Sequence, residues 1–315
     1  MKVIEFRHPY TNDIVPAGDV VLVLGFFDGV HKGHQKVIEK GRKIADQNGL
    51  KLAVMTFNQH PSIVFKKVKP DEMKYLTNNE QKKQLMAHLG VDYLYIVEFT
   101  SLFASLSPQE FVDQYIVNLN AKFAVAGFDY TYGPEDIADM KHLPQYAKGR
   151  FEVIAVSKKT QDNSKISSTR IRECLDQGDM EKAASLLGYT YEIDGIVVHG
   201  DARGRTLGFP TANIKTESTT RLPKEGVYVA EIKIGDKWHP AMGSIGHNDT
   251  FEKGRQLTVE VYILDFSQDI YGEQVSVRWN HLIRDQVAFN GAEELIQQLK
   301  KDERSTRRYF ENKKG

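Results

Sequence analysis

Cysteine occurs once in the 315-residue chain, at Cys174, which excludes an internal disulfide and fits a reducing, cytoplasmic setting. No apolar run is long enough to span a bilayer, and the opening MKVIEFRH lacks the apolar core of a secretory signal. Net charge is also missing. Acidic and basic residues balance at 42 each, and from Tyr191 onward they number 19 and 18. Neither half is therefore a polyanion-binding tail, and neither nucleic acid nor a membrane is expected as a partner. A Walker A sequence is absent, so any ATP chemistry needs another phosphate-binding device. No internal repeat and no low-complexity linker interrupts the chain. Its length exceeds that of most single compact domains, so two closely joined domains are expected, while composition leaves the oligomeric state open.

The pattern of elements changes near residue 190. Before it, strand-like segments at 20–24, 52–57, 93–99, 123–127 and 151–156 alternate with helix-like ones at 33–47, 79–89 and 108–119. Such alternation predicts an α/β domain with a mostly parallel sheet covered on both faces. Two short helices, 168–177 and 179–187, are expected to close it. After Tyr189 come short strands with glycine turns, EIDGIVVHG, GVYVAEIKIG, LTVEVYILDF and EQVSVRW, which predict a small antiparallel β-barrel. A last helix is expected over 292–302, with the terminal ENKKG frayed.

The most informative stretch is Gly25-Phe26-Phe27-Asp28-Gly29-Val30-His31-Lys32-Gly33-His34. It links the apolar run Val20-Val21-Leu22-Val23-Leu24 to an amphipathic helix carrying Val37, Ile38, Ile44 and Ala45. A glycine turn between a buried strand and a helix N-terminus is where an α/β sheet holds phosphate, because backbone N–H groups and the helix dipole face the anion. His31 and His34 are three apart and share a face if both are helical. Gly33 leaves room for close approach to the backbone. This H-x-G-H arrangement resembles that of nucleotidylyl transferases, which need donors on an α-phosphate while pyrophosphate leaves. Two rival readings are surface histidines on a glycine turn, and zinc held by His31, His34 and His60. The second lacks a nearby cysteine and has Asp28 as its close carboxylate.

Further candidates lie at strand ends. His60 in Asn58-Gln59-His60-Pro61 follows one strand, and Gly127-Phe128-Asp129-Tyr130-Thr131-Tyr132-Gly133 follows another, suited to an adenine or isoalloxazine edge or to an aromatic loop packed on the core. Ser167, Ser168 and Thr169 open a helix with Arg170 and Arg172 in its first turn. Arginines there oppose the dipole, which favours a bound anion over capping alone. H-x-G-H with a downstream S-S-T-x-x-R resembles the FMN adenylyltransferase module of prokaryotic bifunctional FAD synthetases, over about the first 185 residues. The resemblance implies ATP-phosphate binding by His31, His34, Ser168, Thr169 and Arg172; Gly25, Phe27, Asp28, Gly33 and His60 are further candidates for ATP, and Asp129 and Tyr132 for flavin. Phe26 stands where that family has Asn, and Gln59-His60-Pro61 stands for its P-H-P.

The second half has its own signature. Gly200, Gly204 and Gly208, with Arg203 and Arg205 between them, describe a loop able to fold over phosphates, or a plain hairpin with a glycine bend. Thr211 and Asn213 share a face if extended and offer the hard oxygen ligands that suit Mg²⁺ beside ATP. In Leu257-Thr-Val-Glu-Val-Tyr-Ile-Leu-Asp265, Val259, Val261 and Ile263 form one face and Glu260 the other. A lone strand carboxylate is often only solvated, but phosphorylation of an alcohol benefits from one that accepts the hydroxyl proton. Phe-Pro-Thr-Ala-Asn and this strand resemble riboflavin kinases. That resemblance implies Glu260 as general base, Thr211 and Asn213 at Mg²⁺ and ATP, and Arg284 and Phe289 in the flavin site. Departures are Ser244 for Asn, Asp249 for Pro and Trp279 for Phe.

The expectation is a bifunctional enzyme. A Rossmann-like adenylyltransferase spans 1–186, and a kinase barrel with a C-terminal helix spans 187–315. ATP phosphorylates riboflavin to FMN and adenylylates FMN to FAD, with Mg²⁺ as cofactor and small molecules as partners. The competitors are another nucleotidylyl transferase, for example on pantetheine phosphate, and a flavin-binding protein without chemistry.

Overall fold

The structure, a computed structural model, describes residues 1–66, 68–69, 72–200, 203–247 and 257–314, without the side chains of Arg203 and Lys314. Asp249 and the side chain of Arg203 thus lie outside the described residues. The chain divides into two compact units, Met1–Ser168 and Thr169–Gly315.

In the first unit β1 (Lys2–Phe6), β2 (Val20–Leu24), β3 (Lys51–Phe57), β4 (Tyr93–Val97), β5 (Ala121–Gly127) and β6 (Glu152–Val156) form one sheet. Their order is β1-β4-β3-β2-β5-β6, and every neighbouring pair is parallel. A parallel sheet is covered on both faces, so its strands are apolar throughout. All of β2 is buried, and its alternation sends Val20, Leu22 and Leu24 into one core and Val21 and Val23 into the other. The second core receives Val37, Ile38, Ile44 and Ala45 of the helix Lys32–Asn48. Gly41 sets how closely that helix approaches: a Cβ there would lie 2.4 Å from Val23 Cγ2.

From β2 the chain moves to β3 on one side and later to β5 on the other. The sheet order therefore switches direction between β2 and β5, and the loops leaving their carboxyl ends, 25–31 and 128–133, flank the crevice where open α/β sheets bind ligands. The helix expected over 108–119 is present as Pro108–Val112 with a Ser107/Glu110 capping box, followed by a π-helical turn Asp113–Val117. A small hairpin, β7 (Thr160–Gln161) and β8 (Ser164–Lys165), precedes the unit boundary.

The second unit is a closed antiparallel barrel of β9 (Glu192–Val198), β10 (Thr211–Thr216), β11 (Gly226–Ile234), β12 (Lys237–Gly246), β13 (Thr258–Ile263) and β14 (Gln274–Arg284). The helices Ser168–Gln177 and Met180–Leu187, expected to close the first domain, pack from Thr169 onward within this unit. Leu175 O accepts from Lys224 N at 2.8 Å, and a Cβ on Gly178 would strike Leu282 Cδ2 at 2.6 Å.

Within the glycine loop a short helix, Arg203–Thr206, is followed by Gly208 at φ 82°. One expectation needs correction. The last helix runs Ala292–Lys314, so residues 311–314 continue it and are not frayed. The i,i+4 pair Glu303–Arg307 and the approach of Lys313 Nζ to Glu231 at 3.8 Å support that extension.

Candidate active sites

The first site grows from the end of β2. A Cβ on Gly25 would lie 2.6 Å from Phe27 Cζ, so glycine lets the Phe27 ring fold back under the turn. Phe27 (φ 56°), Gly29 (φ 79°) and Val30 (φ 34°) all have positive φ, so a tight turn forms here. Phe27 is buried edge-on to His34 at 5.3 Å. Buried Asp28 accepts from Leu76 N at 2.9 Å and Thr77 N at 3.3 Å, while Gly29 N donates to Thr77 Oγ1 at 3.0 Å. These side chains shape the turn, whose Gly29 N–H is held by Thr77 and whose Val30 N–H donates to Phe27 O at 3.2 Å.

His31 caps the helix instead of lying on its face. Its Nδ1 accepts from Gly33 N at 3.2 Å and His34 N at 3.3 Å. An accepting Nδ1 assigns the neutral ring's proton to Nε2, which is then a donor. The two imidazoles stack at 3.6 Å with 17° between planes. Burial, then the neighbouring His31, Lys82 and Lys165, hold His34 well below its ordinary value of 6.5, so it is neutral at pH 7. Among the described residues, nothing bonds the buried His34 Nδ1. The space over Gly33 is filled by the His31 ring, 3.0 Å from where a Cβ would sit. Glycine there admits the histidine.

His60, at the carboxyl end of β3, accepts from Ser62 N through Nδ1 at 3.1 Å and stands edge-on to Phe26 at 5.0 Å. Among the described residues no three His, Cys, Asp or Glu side chains are placed to hold a metal ion. Ser168 Oγ donates to Asp28 O at 3.0 Å, which brings the Ser-Thr segment to the turn at that residue. Thr169 and Arg172 follow on the same helix, in the second compact unit.

After β5, Asp129 pairs with Lys165, whose ammonium lies 5.2 Å from the Phe128 ring centroid. Tyr132 instead lines a cavity of about 140 Å³ with Phe57, Pro61, Phe65, Phe99 and Tyr130. Among the described residues its buried hydroxyl has no hydrogen-bond partner. An aromatic slot of this kind suits a planar heterocycle. The sequence pointed to the 127–133 loop, whereas Phe57, Phe65 and Phe99 come from separate segments.

The second site lies on the barrel. Asn213 pairs with Glu260 across β10 and β13, and Glu260 pairs with Ser244 across β13 and β12. Val259, Val261 and Ile263 are buried, so alternation turns Glu260 to the opposite face, where it accepts from Thr211 Oγ1 at 3.2 Å. Gly200 lies under Asn213, and a Cβ there would fall 2.2 Å from Nδ2. Gly204 is held against Phe209, whose N–H donates to Gly204 O at 2.8 Å.

Glu260, Asn213, Phe209, Tyr262, Arg284 and Phe289 line one cavity of about 310 Å³. Arg205, Pro210, Phe266, Asp269 and Tyr271 line another of about 310 Å³, and Thr211 borders both. Arg284 is aimed by a carboxylate that the sequence did not reveal. Asp302 of the last helix is 2% exposed and accepts from Arg284 Nε at 2.9 Å, and the guanidinium lies 5.6 Å from the Phe289 ring. At the Ser244 departure, Oγ accepts from Gln286 Nε2 at 2.9 Å.

A glycine turn between strand and helix on a parallel sheet, followed by a barrel in which Thr211 borders two cavities and bonds a carboxylate of one of them, is the arrangement of a two-site nucleotide-dependent transferase. Family models agree with each half: FAD synthetase matches residues 15–170 and riboflavin kinase matches 187–310. The chain is 49% identical over 310 residues to the bifunctional riboflavin kinase/FMN adenylyltransferase of Listeria monocytogenes serovar 1/2a, covering 98% of each chain. It is 43% identical to the Bacillus subtilis protein of the same name, covering 99% of each. A Streptococcus pneumoniae crystal structure, named as a macrolide-efflux protein, superimposes with a TM-score of 0.88 at 41% identity over 96% of this chain and 99% of that one. The chain belongs to the bifunctional riboflavin kinase/FMN adenylyltransferase family.

Proposed function

We propose that the barrel phosphorylates the 5′-hydroxyl of riboflavin and that the parallel-sheet unit transfers AMP from ATP to the FMN so formed. The observation that carries the kinase assignment is Thr211, which borders both barrel cavities and touches Glu260 at 3.2 Å. Riboflavin occupies the cavity with Phe209, Arg284 and Phe289, and ATP occupies the one with Arg205 and Tyr271. Their reacting groups then meet at Thr211. Glu260 takes the hydroxyl proton as the oxygen attacks the γ-phosphorus and ADP leaves. Thr211 Oγ1 and the Asn213 amide oxygen form a hard-oxygen donor pair that fits Mg²⁺, which when bound screens phosphate charge. Gly200, Gly204 and Gly208 bring backbone close to the nucleotide, and Arg203 and Arg205 add charge.

In the first unit, a phosphate oxygen of FMN attacks the α-phosphorus of ATP and pyrophosphate leaves. His31 Nε2–H and His34, at the helix N-terminus, stabilise the charge that develops. Gly25, Phe27, Asp28 and Gly33 act by shaping the turn. His60, Ser168, Thr169 and Arg172 are assigned to the phosphates, and Tyr132, with Asp129 at the rim, to the flavin slot. The division of labour is 1–186 for adenylylation and 187–315 for the kinase. Export, the activity in the name of the Streptococcus pneumoniae protein, is not carried over: among the described residues no helix is long and apolar enough to cross a membrane.

Glu260→Gln tests this reading, because glutamine keeps the shape but takes no proton at neutral pH. FMN formation is expected to fall by about 10²–10⁴, with FMN adenylylation unchanged. A kinase rate within about twofold of the parent would reduce Glu260 to an ordinary strand residue.

A further inference from the structure

Lys82 is a charged side chain that the reactions above leave unused. It lies on the helix Asn79–His88, shares a face with buried Met86 four residues on, and is 3% exposed. Its Nζ donates to Phe26 O at 3.1 Å and lies 3.4 Å from Thr56 Oγ1, which itself donates to Phe26 O at 2.7 Å. The ammonium also stands 4.6 Å from the Phe26 ring centroid. A buried ammonium is costly unless an opposite charge pairs with it. Among the described residues Lys82 contacts neutral oxygens and a ring face, and the Asp28 carboxylate favours its charged form. Its charge nevertheless reaches the site, because it is one of the groups that keep His34 unprotonated.

We propose that Lys82 is a positioning residue for adenylyl transfer: it fixes the Phe26 carbonyl, and with it the phosphate turn, and supplies from beneath that turn the positive charge that neutral imidazoles do not carry. The inference rests on the adenylyl-transfer reading of the first unit. Burial lowers Lys82 to about 8, so at pH 7 most of the population carries the proton. The triphosphate of ATP then adds to the counter-charge that Asp28 supplies. The same cation favours charge build-up at the α-phosphate during pyrophosphate departure.

The test measures both reactions on the full chain for the parent, Lys82→Met and Lys82→Gln, with thermal unfolding on each. Parent protein that makes no FAD from FMN and Mg-ATP would refute the adenylyl-transfer reading itself, and Lys82 with it. Given an active parent, Lys82→Met is expected to lose about 10- to 100-fold in adenylylation kcat/KM for ATP, the size of one charged hydrogen bond. The KM for FMN and the riboflavin kinase rate should stay within about twofold, a split that a general loss of folding would not produce. Gln, which can still donate to Phe26 O without charge, should lose less than Met but not reach the parent. If Met does not fold, Gln alone carries the comparison. Adenylylation within about twofold of the parent in the folded neutral variant would overturn the proposal, as would an equal loss in both reactions.

Discussion

Replacing Gly33 by alanine would put a methyl group against the His31 ring, 3.0 Å from Cε1 and 3.1 Å from Nδ1, with Ile166 O at 3.4 Å. The ring cannot move freely, because it is stacked on His34 at 3.6 Å. A shift of a few tenths of an ångström would lengthen the bonds to Nδ1 from Gly33 N and His34 N, already 3.2 and 3.3 Å. Each such bond contributes about 0.5–1.5 kcal/mol. Alanine in place of glycine returns up to about 1 kcal/mol of helix propensity. The two bonds together are worth about 1–3 kcal/mol, so the propensity gain offsets their weakening only in part, and thermal stability should be unchanged or lowered by up to about 2 kcal/mol. Catalysis has no such offset, because the donor on His31 Nε2 is re-aimed; a misplacement of about 1 Å can cost about 10²-fold, so a few tenths should cost several-fold to about 10-fold. The assay follows FAD formation from FMN and Mg-ATP beside riboflavin phosphorylation. A loss of that size in the first with the second intact is expected. FAD formation at the parent rate would refute the reasoning that the His31 cap sets the catalytic geometry.

Gly41→Ala would force a methyl 2.4 Å from Val23 Cγ2 and 3.0 Å from Leu52 Cδ1, so overpacking of about 1–3 kcal/mol should lower Tm; an unchanged Tm would contradict the close helix–sheet approach. Because folding holds His34 below its ordinary 6.5, the unfolded chain binds the proton first as pH falls. The His34 contribution to stability is therefore complete above pH 6.5 and lost as pH falls below it. Between about pH 7.5 and 5.5 the parent Tm should drop more than that of His34→Gln, and equal drops would contradict the burial of a neutral imidazole.

The phosphate turn was legible because its signals are local: a buried strand, glycines and a helix start lie within fifteen residues of one another. Glu260 and Thr211 were legible as two candidates, and the pairing of β10 with β13 is what puts them in contact. β12 was not anticipated, since Pro240, Gly243 and Gly246 break the alternation by which a strand is recognised. The aromatic slot was legible in its 127–133 loop, but the walls from Phe57, Phe65, Phe99 and Phe103 are brought to it by folding of the sheet. Lys82 and Asp302 sit in polar-looking stretches, and a charge buried by tertiary packing has no sequence periodicity of its own. The last helix was underestimated for the same reason: its second half is almost wholly polar and is held by ion pairs.

The central claim is that one chain carries two successive ATP-dependent transfers. Incubation of the purified protein with riboflavin and Mg-ATP, followed over time by chromatography, tests it most directly. FMN is expected to appear first with ADP, and FAD to follow at the expense of FMN with release of pyrophosphate. Accumulation of FMN without FAD would contradict the role of the His31/His34 turn, and riboflavin left unconverted while added FMN is adenylylated would contradict the role of the barrel.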